Sequence, residues 1–287
     1  MNDNLGVINV KRKKRPGEIV LYTALFLGTI TMFFPFVYML LSTFKTLGEF
    51  MTYPPRLFPE AIIFDNYIEV WTRMNFARYF TNSLFVSTCK TIIVVYTSLL
   101  AGYVFEKLRF KGRDLIFYII IATMMIPFQS TIISMYKLMI DFGWVDNYLS
   151  IIVGGEVGLC SAFGIFLMRQ SMKSVPDAII ESGVVDGAGH FRIFHRLVVP
   201  LMGPAMTGVG VLTFLFVWED FLWPFLMIHS MSGYTLPIGI AMFAGQYVDN
   251  TVGAMTAASI AILPVIVLYL IFQKQFMAGV ATAGIKG

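Results

Sequence analysis

The chain has 287 residues, of which 57% are apolar and only 13% are charged, and its formal net charge is +4. A soluble domain carries about a quarter charged residues, so lipid is the expected solvent for most of this surface. No basic stripe is interleaved with aromatic residues, which argues against nucleic-acid binding. Cys89 and Cys160 both lie in apolar stretches and are expected to be small core residues rather than a disulfide.

Six apolar segments are long enough to cross a bilayer core about 30 Å thick, which needs about 20 helical residues. The first of these runs is too long for a cleavable signal peptide. We therefore expect an all-α integral membrane protein, with tails at 1–18 and 273–287 around a six-helix domain at 19–272. The expected spans are 19–41, 82–105, 115–136, 149–168, 201–228 and 252–272.

Basic residues are distributed unequally between the two faces that these spans define. Of the 21 Lys and Arg residues, 15 lie in the two tails and in the loops at 106–114 and 169–199, and five lie on the other face. Because loops rich in Lys and Arg stay inside, the first face is predicted to be cytoplasmic, together with both termini.

Prolines and glycines interrupt some of the spans. Pro35, Pro127 and Pro264 each fall inside one, where proline is a kink or, in a transporter, a hinge. Glu156 lies in a glycine-rich stretch, Gly-Gly-Glu-Val-Gly, at 154–158. This stretch predicts a break between a short external helix and the true fourth span.

Three ionisable residues fall inside or near the end of a span, where charge costs a few kcal/mol and usually faces protein or water. Glu219 and Asp220 are adjacent, so on a helix they point about 100° apart. One of them borders a solute path or sets a helix contact, or both lie near the external headgroups. Asp220 is assigned a structural role, and Glu219 stays open. Lys90 is a possible partner for either acid.

The polar segment 174–200 lies between the fourth and fifth spans and is predicted to be an amphipathic helix-turn-helix on the cytoplasmic face. Ser174 is the expected N-cap, with Pro176 in the first turn and Asp177 as the acidic partner. The helix is expected to run to about Val185 before the Asp-Gly pair at 186–187 ends it. An interfacial helix on lipid is disfavoured, because the solvent face is acidic rather than rich in lysine.

The second half of this segment is expected to be amphipathic, with Phe191, Phe194 and Val198 on one face. Gly183 is small enough for another backbone to approach closely. Glu181 and Asp186 add charges that can anchor a protein partner. A protein-docking surface is therefore the preferred interpretation.

The order of features in this segment resembles the permease signature of ABC importers. That signature has a glutamate, two small residues, three further positions, a glycine and then an Ile-x-Leu-Pro-like step. Here these are Glu181, Ser182, Gly183, Gly187 and Leu197-Val198-Val199-Pro200. By this resemblance the segment is a coupling helix that docks in a groove of a cytoplasmic ATPase, with Glu181, Ser182, Gly183, Asp186, Gly187, Phe191, Phe194 and Pro200 as its candidate residues.

Three further segments resemble the carbohydrate branch of that family, the maltose-type (MalG-like) permease subunits. They are the run Phe-Leu-Phe-Val-Trp-Glu-Asp-Phe-Leu-Trp-Pro at 214–224, the region 234–247 and the tail 273–287. The resemblance implies that the last external loop reaches a solute-binding protein through Gly245, Gln246 and Tyr247. It also implies that the tail inserts between two ATPase subunits, and that Glu219 stands where asparagine is usual.

The resemblance implies a sugar or oligosaccharide importer of a bacterial or archaeal cell membrane that works by alternating access. Its other parts would be a second, MalF-like permease, two copies of a cytoplasmic ATPase and an extracytoplasmic solute-binding protein. The chain has no phosphate loop, so ATP and Mg²⁺ are expected only on the ATPase. No catalytic or metal-binding residue is assigned, because His190, His195 and His229 lack metal-ligand spacing.

Two other classes of function compete with this interpretation. An ion-coupled secondary transporter would show internal repeats and buried acid relays, whereas no repeat is evident and the first, third and sixth spans are uncharged. An intramembrane enzyme would need a histidine in a span to partner Cys89 or Cys160, and none lies there.

Overall fold

The protein is described by a computed structural model, which covers residues 16–246 and 251–284, with side chains at 17–18, 20–245 and 251–273. The regular secondary structure of the described part is all helical, as expected for an all-α membrane protein. Its α-helices in chain order are α1 Pro16–Ser42, α2 Leu47–Phe50, α3 Asp65–Arg73, α4 Phe76–Lys107, α5 Arg113–Ala122, α6 Phe128–Asp141, α7 Tyr148–Val153, α8 Ala162–Met172, α9 Asp177–Val185, α10 His190–Ile193, α11 Val199–Leu201, α12 Gly203–Glu219, α13 Leu222–Met227, α14 Leu236–Gln246, α15 Thr251–Ala261 and α16 Leu263–Gly284.

Three stretches of helix are long and apolar enough to cross a membrane, within the ranges that the structure describes. They lie at Val20–Ser42, Phe76–Lys107 and Thr251–Gln273. Two pairs of consecutive helices, each pair bent at a short break, also qualify if each pair counts as one span, which gives up to five spans. The first and second expected spans therefore match long helices, the sixth matches the consecutive helices α15 and α16, and the count of six stays a prediction.

The third and fifth expected spans are not single helices. Arg113–Met125 and Phe128–Asp141 meet at 101°. Pro127 lies at that junction with extended backbone, and the residue before it, Ile126, is extended too, which is the conformation that proline favours in its predecessor. The fifth span, predicted to run to Ile228, ends as a helix at Glu219, and Asp220 is extended.

The fourth span breaks where the glycines predict it. α7 ends at Val153 and α8 begins at Ala162, so the continuous span expected at 149–168 is wrong and the predicted break is confirmed. Gly155 and Gly158 have φ values of +84° and +55°, in the left-handed region that other residues avoid. Two short helices therefore replace one membrane-length helix.

Helix α4 is the central element of the described fold. Its buried face packs along α8 and α12. Gly102 makes the contact with α8 close, because a Cβ there would lie 2.8 Å from the Cβ of Met168. We call the two ends of α4 the Phe76 end and the Lys107 end. One hydrophobic cluster lies at the Lys107 end, with Leu99, Tyr103 and Phe194 among its members.

The other end of the fold is held together by two more clusters and by one aspartate. One cluster surrounds Trp218, and the other surrounds the fully buried Trp223. Asp146 Oδ1 accepts hydrogen bonds from the backbone N–H groups of His229 and Ser230, at 3.0 and 2.9 Å. These bonds, with the Ser230 backbone as the largest cause, hold the pKa of Asp146 below its usual value. The loop before α7 is thus fixed to the loop after α13.

Candidate functional site

The segment 174–200 begins its first helix two residues later than the sequence suggested. Ser174 does not cap α9, because its hydroxyl donates to the Ser171 carbonyl at 2.7 Å. Pro176 occupies the N-cap position without a side-chain hydrogen bond, and the helix starts at Asp177. The predicted Ser174 cap is therefore wrong, since the chain turns sharply before Pro176 and the serine serves the preceding helix end. The predicted end of the helix at Val185 is confirmed.

A tight turn joins α9 to α10. Asp186 follows the last helical residue, and Gly187 has φ +74° with open space around its Cα. Gly183 faces the other way, because a Cβ on it would lie 2.9 Å from Ile193 and 3.1 Å from Leu197. The small residue at 183 therefore lets the two halves of this segment approach each other. The expected contact of Gly183 with a partner is therefore wrong, since the residue is buried within its own chain.

The second half of the segment contains a π-helical turn at Phe194–Val198. Phe194 and Val198 are fully buried, whereas Phe191 is 71% exposed. The expectation of one face for all three is wrong for Phe191, whose ring lies against His195 with centroids 4.2 Å apart. The face towards α4 is filled by Phe194 and its neighbours, so Phe191 is left on the outer surface.

Helix α4 holds the segment at both ends. Lys107 Nζ donates to the Val175 carbonyl and to Asp177 Oδ1, each at 2.6 Å. This lysine side chain is 6% exposed, and its hydrogen bond to Asp177 is the main reason that the pKa of Asp177 lies below its usual value. Sequence reasoning missed this contact, because residues 107 and 177 are 70 positions apart.

Two histidines fix the far end of the segment. Tyr103 Oη and His190 Nδ1 share a hydrogen bond of 3.0 Å. His195 Nδ1 donates to the Phe191 carbonyl at 2.9 Å, and its Nε2 shares a hydrogen bond of 3.2 Å with Tyr96 Oη. Tyr96 and Tyr103 are seven residues apart, which places both on one face of α4. That spacing was the available signal for a face that meets the 174–200 segment.

The outer surface of the segment combines acids, apolar side chains and an open turn. Val184 and Val185, which sequence reasoning did not single out, are 52% and 86% exposed, and Phe191 of the same segment is exposed too. We call this surface the tip. Its other members are exposed too: Glu181, Ser182, Asp186 and Gly187. Pro200 is also exposed, but it follows the π-helical turn and is not a member of the tip. Exposed apolar side chains and two carboxylates, on a segment that α4 holds in place, suit contact with another protein.

The residues proposed for a solute path lie elsewhere. Glu219 is the exposed last residue of α12. Asp220 is half-buried and accepts a hydrogen bond of 3.3 Å from the Trp223 N–H, which starts α13. The structural role assigned to Asp220 is consistent with this bond. Lys90 forms no ion pair within 4.0 Å among the described residues, although Asp220 is close enough to interact electrostatically.

Lys90 is instead paired with carbonyl groups at the end of α7. Its Nζ donates to the Ile151 carbonyl at 2.8 Å and to the Gly154 carbonyl at 2.6 Å. The C-terminus of a helix carries partial negative charge, so an ammonium ion there is stabilised. Sequence reasoning looked for an acid as partner and had no signal for backbone carbonyls.

The three residues assigned to the last external loop are only partly described. Gly245 and Gln246 end helix α14, so both residues are helical. Their proposed contact with a binding protein stays a prediction. Tyr247 lies outside the described residues, so its proposed contact stays a prediction.

The described residues contain no group of three or more His, Cys, Asp or Glu side chains that could hold a metal ion. The arrangement offers a rigidly backed protein-contact tip at one end of α4 and an irregular, charged break near its middle. These features suit a membrane protein that is moved by a partner.

Comparisons with known proteins agree with this description. The model of the family described as "Binding-protein-dependent transport system inner membrane component" matches residues 95–281. The arabinooligosaccharides transport system permease protein AraQ of Bacillus subtilis is 32% identical over 88% of this chain and 90% of its own length. The starch degradation products permease AmyC of Thermoanaerobacterium thermosulfurigenes, designated probable, is 29% identical over 92% and 97%.

One solved structure shares most of the fold. It belongs to a bacterial ABC transporter involved in the import of the acidic polysaccharide alginate. The TM-score is 0.79 at 24% sequence identity, and the match covers 92% of this chain and 97% of that chain. At this identity the likeness concerns the fold alone.

Proposed function

Because this chain belongs to the family of binding-protein-dependent transport system inner membrane components, we propose that it forms half of the membrane path of an ATP-driven saccharide importer. It is a translocation subunit rather than an enzyme. The family match over residues 95–281, which include the whole 174–200 segment, is the observation that carries this proposal.

The saccharide assignment is supported by the relatives. AraQ and AmyC are named for oligosaccharides and starch products, and a further relative, the NgcG permease of Streptomyces coelicolor, for diacetylchitobiose. These relatives match this chain along most of its length. We infer an oligosaccharide of a few units as the class of solute.

We infer six spans, with both termini and the Lys107 end in the cytoplasm. The count takes the three long stretches, the bent pair α5 and α6, the broken pair α7 and α8, and α12, because the bent partner of α12, His190–Leu201, belongs to the cytoplasmic segment. The asymmetry of 15 basic residues on one face against five on the other supports the orientation. The tip then faces the cytoplasm of a bacterial or archaeal cell.

The tip is proposed to dock on a cytoplasmic ATPase. Closure of two ATP-bound ATPase subunits would move the tip, and α4 would move with it through Lys107, Tyr103 and Tyr96. Because α4 runs through most of the fold, this movement would alternate the path between its two openings. ATP and Mg²⁺ belong to the ATPase, and the extracytoplasmic side would receive solute from a binding protein. A second, MalF-like permease would complete the path.

The experiment is affinity purification of the tagged chain from its native membrane, followed by mass spectrometry of the proteins that accompany it. A second multi-span permease together with an ATPase is the expected result. The binding protein found with them is then titrated with maltotriose, raffinose, lactose and diacetylchitobiose. A chain that purifies alone and transports solute in liposomes under an ion gradient would contradict the proposal and support ion-coupled transport.

A further inference from the structure

The break in the fourth span lies at the middle of the apolar part of α4. At one side of the break, Lys90 binds the Gly154 carbonyl, and at the other, Thr97 Oγ1 donates to the Leu159 carbonyl at 2.7 Å. Lys90 is eight residues after the start of the apolar stretch 82–105, and Thr97 is eight residues before its end. At 1.5 Å per residue, both contacts are about 12 Å from the ends of that stretch. The break is therefore near the centre of the bilayer.

This break is a fixed feature rather than a frayed helix end. Lys90 is 2% exposed and Trp223 is fully buried. The indole Nε1 of Trp223 donates to the Ser150 carbonyl at 2.9 Å. A Cβ on Gly154 or Gly155 would lie 2.9 or 2.8 Å from the Trp223 ring, so the ring packs directly on the backbone. The carbonyl groups at the end of α7 are thus satisfied from inside the protein.

The opposite side of the break is open. Glu156, Leu159 and Cys160 are exposed. In the part of the chain that the structure describes, no hydrogen bond is made by the carbonyls of residues 156–158 or by the N–H groups of residues 159–160. Hydrocarbon cannot satisfy such groups, and irregular backbone at this depth occurs only where protein covers it or where it lines a water-filled cavity.

The charge at the break is negative on its open side. Lys90 and Asp220 interact electrostatically, so the buried cation has a compensating charge. Glu156 has no ion pair among the described residues, and its side chain is exposed. A carboxylate accepts hydrogen bonds from hydroxyl groups and repels an anionic solute.

We propose that residues 154–161 line the solute path, where the open backbone groups and the Glu156 carboxylate hydrogen-bond the hydroxyl groups of a neutral saccharide. The nature of the solute rests on the proposed function, whereas the access of water to the break does not. Lys90 and Trp223 position this segment by holding its helical end. The segment therefore favours neutral saccharides over uronic-acid oligomers.

The native Cys160 reports on water access without any solute. In the assembled transporter with Cys89→Ser, two small membrane-impermeant methanethiosulfonates are compared, the cationic ethyltrimethylammonium and the anionic ethylsulfonate reagent. Both are expected to react with Cys160, and the cation is favoured more strongly than with a free thiol in solution. Glu156→Gln is expected to lower this cation-to-anion preference by about tenfold, since one nearby charge acts oppositely on the two reagents.

Two variants serve as controls. Glu156→Asp keeps the charge and the preference. Glu69→Gln on α3 removes a half-buried carboxylate outside the spans and leaves the preference unchanged, because salt screens charges beyond about 10 Å. No reaction at Cys160, with or without ATP, overturns the proposal and places lipid or another protein against the break. An unchanged preference in Glu156→Gln overturns the role of the carboxylate.

Transport supplies the second readout. Uptake of maltotriose, raffinose and trigalacturonate is measured in proteoliposomes with the assembled complex. Glu156→Gln is expected to raise the KM for the neutral sugar, with kcat nearly unchanged, and to lower the neutral-to-acidic preference by about tenfold. An unchanged KM and preference overturn the contact. If the wild-type complex takes up none of these sugars, the saccharide assignment fails, and the cysteine experiment still decides whether the break lines an aqueous path.

Discussion

Replacing Lys90 with methionine removes a buried ammonium group while nearly keeping the length of the side chain. The Ile151 and Gly154 carbonyls then lose their donor, and Asp220 loses its compensating charge. A hydrogen bond to a charged group contributes about 1.5–3 kcal/mol, and two such bonds are lost. Because Lys90 is only 2% exposed, solvent screening gives little relief. We expect Lys90→Met to destabilise the fold by about 3–6 kcal/mol.

The assay is thermal unfolding of the purified complex in detergent, followed through the tryptophan fluorescence. A loss of this size lowers the midpoint by roughly 5–10 °C for a chain of this length. Thr91→Val is the matched control, because the neighbouring Thr91 hydroxyl is buried without a hydrogen-bond partner among the described residues. Lys90→Met combined with Asp220→Asn is expected to recover part of the loss. Equal midpoints for Lys90→Met and Thr91→Val would refute the reasoning.

Three other substitutions test the elements around the tip. Gly102→Ala places a Cβ 2.8 Å from the Cβ of Met168 on α8 and is expected to lower the stability by about 1–3 kcal/mol. The control Gly28→Ala, in open space, leaves the unfolding midpoint no lower. Equal midpoints for the two variants would contradict close packing at Gly102. The pKa of Asp177 is depressed, so its hydrogen bond to Lys107 stabilises the fold at pH values above the usual pKa of a carboxyl group. This stabilisation is lost only as the pH falls through the depressed pKa. Wild-type co-purification with the ATPase should therefore stay constant from about pH 5 to pH 8, and Asp177→Asn should lower the yield throughout; a wild-type yield that falls by pH 5 would contradict this assignment. Gly187→Val forces a branched residue to φ +74°, at a cost of at least about 1–2 kcal/mol, and should reduce ATPase binding without affecting membrane insertion. The control Gly189→Val, at φ −69°, should leave ATPase binding unchanged. Equal binding by the two variants would argue against the turn.

Much of the fold could be predicted from local signals in the sequence. The break at residues 154–158 was predictable because two glycines there adopt positive φ, which other residues avoid. The end of α9 at Val185 was predictable from the Asp-Gly pair that follows it. Both features depend on the conformational freedom of a few neighbouring residues, so no tertiary information was needed.

Contacts between distant residues account for the errors. Ser174 is a suitable N-cap by type, but its hydroxyl serves the preceding helix end, and only the path of the chain decides between the two. Phe191 and Phe194 differ in burial because α4 covers one face of the segment, and a periodicity argument cannot place α4. For the same reason Gly183 looked available to a partner, although Ile193 of its own chain occupies that space.

The partners of Lys90 are synthesised long after it. The carbonyls that receive its hydrogen bonds belong to residues 61 and 64 positions further along the chain. During biosynthesis the second span therefore enters the membrane with a lone ammonium group near its centre, at a cost of about 2.5–3.5 kcal/mol. The apolar residues around Lys90 must offset this cost until the fourth span arrives. Insertion of the second span and the folding of the fourth are thus energetically linked, and weakening the apolar flanks of Lys90 would delay stable insertion until the later helices emerge from the ribosome.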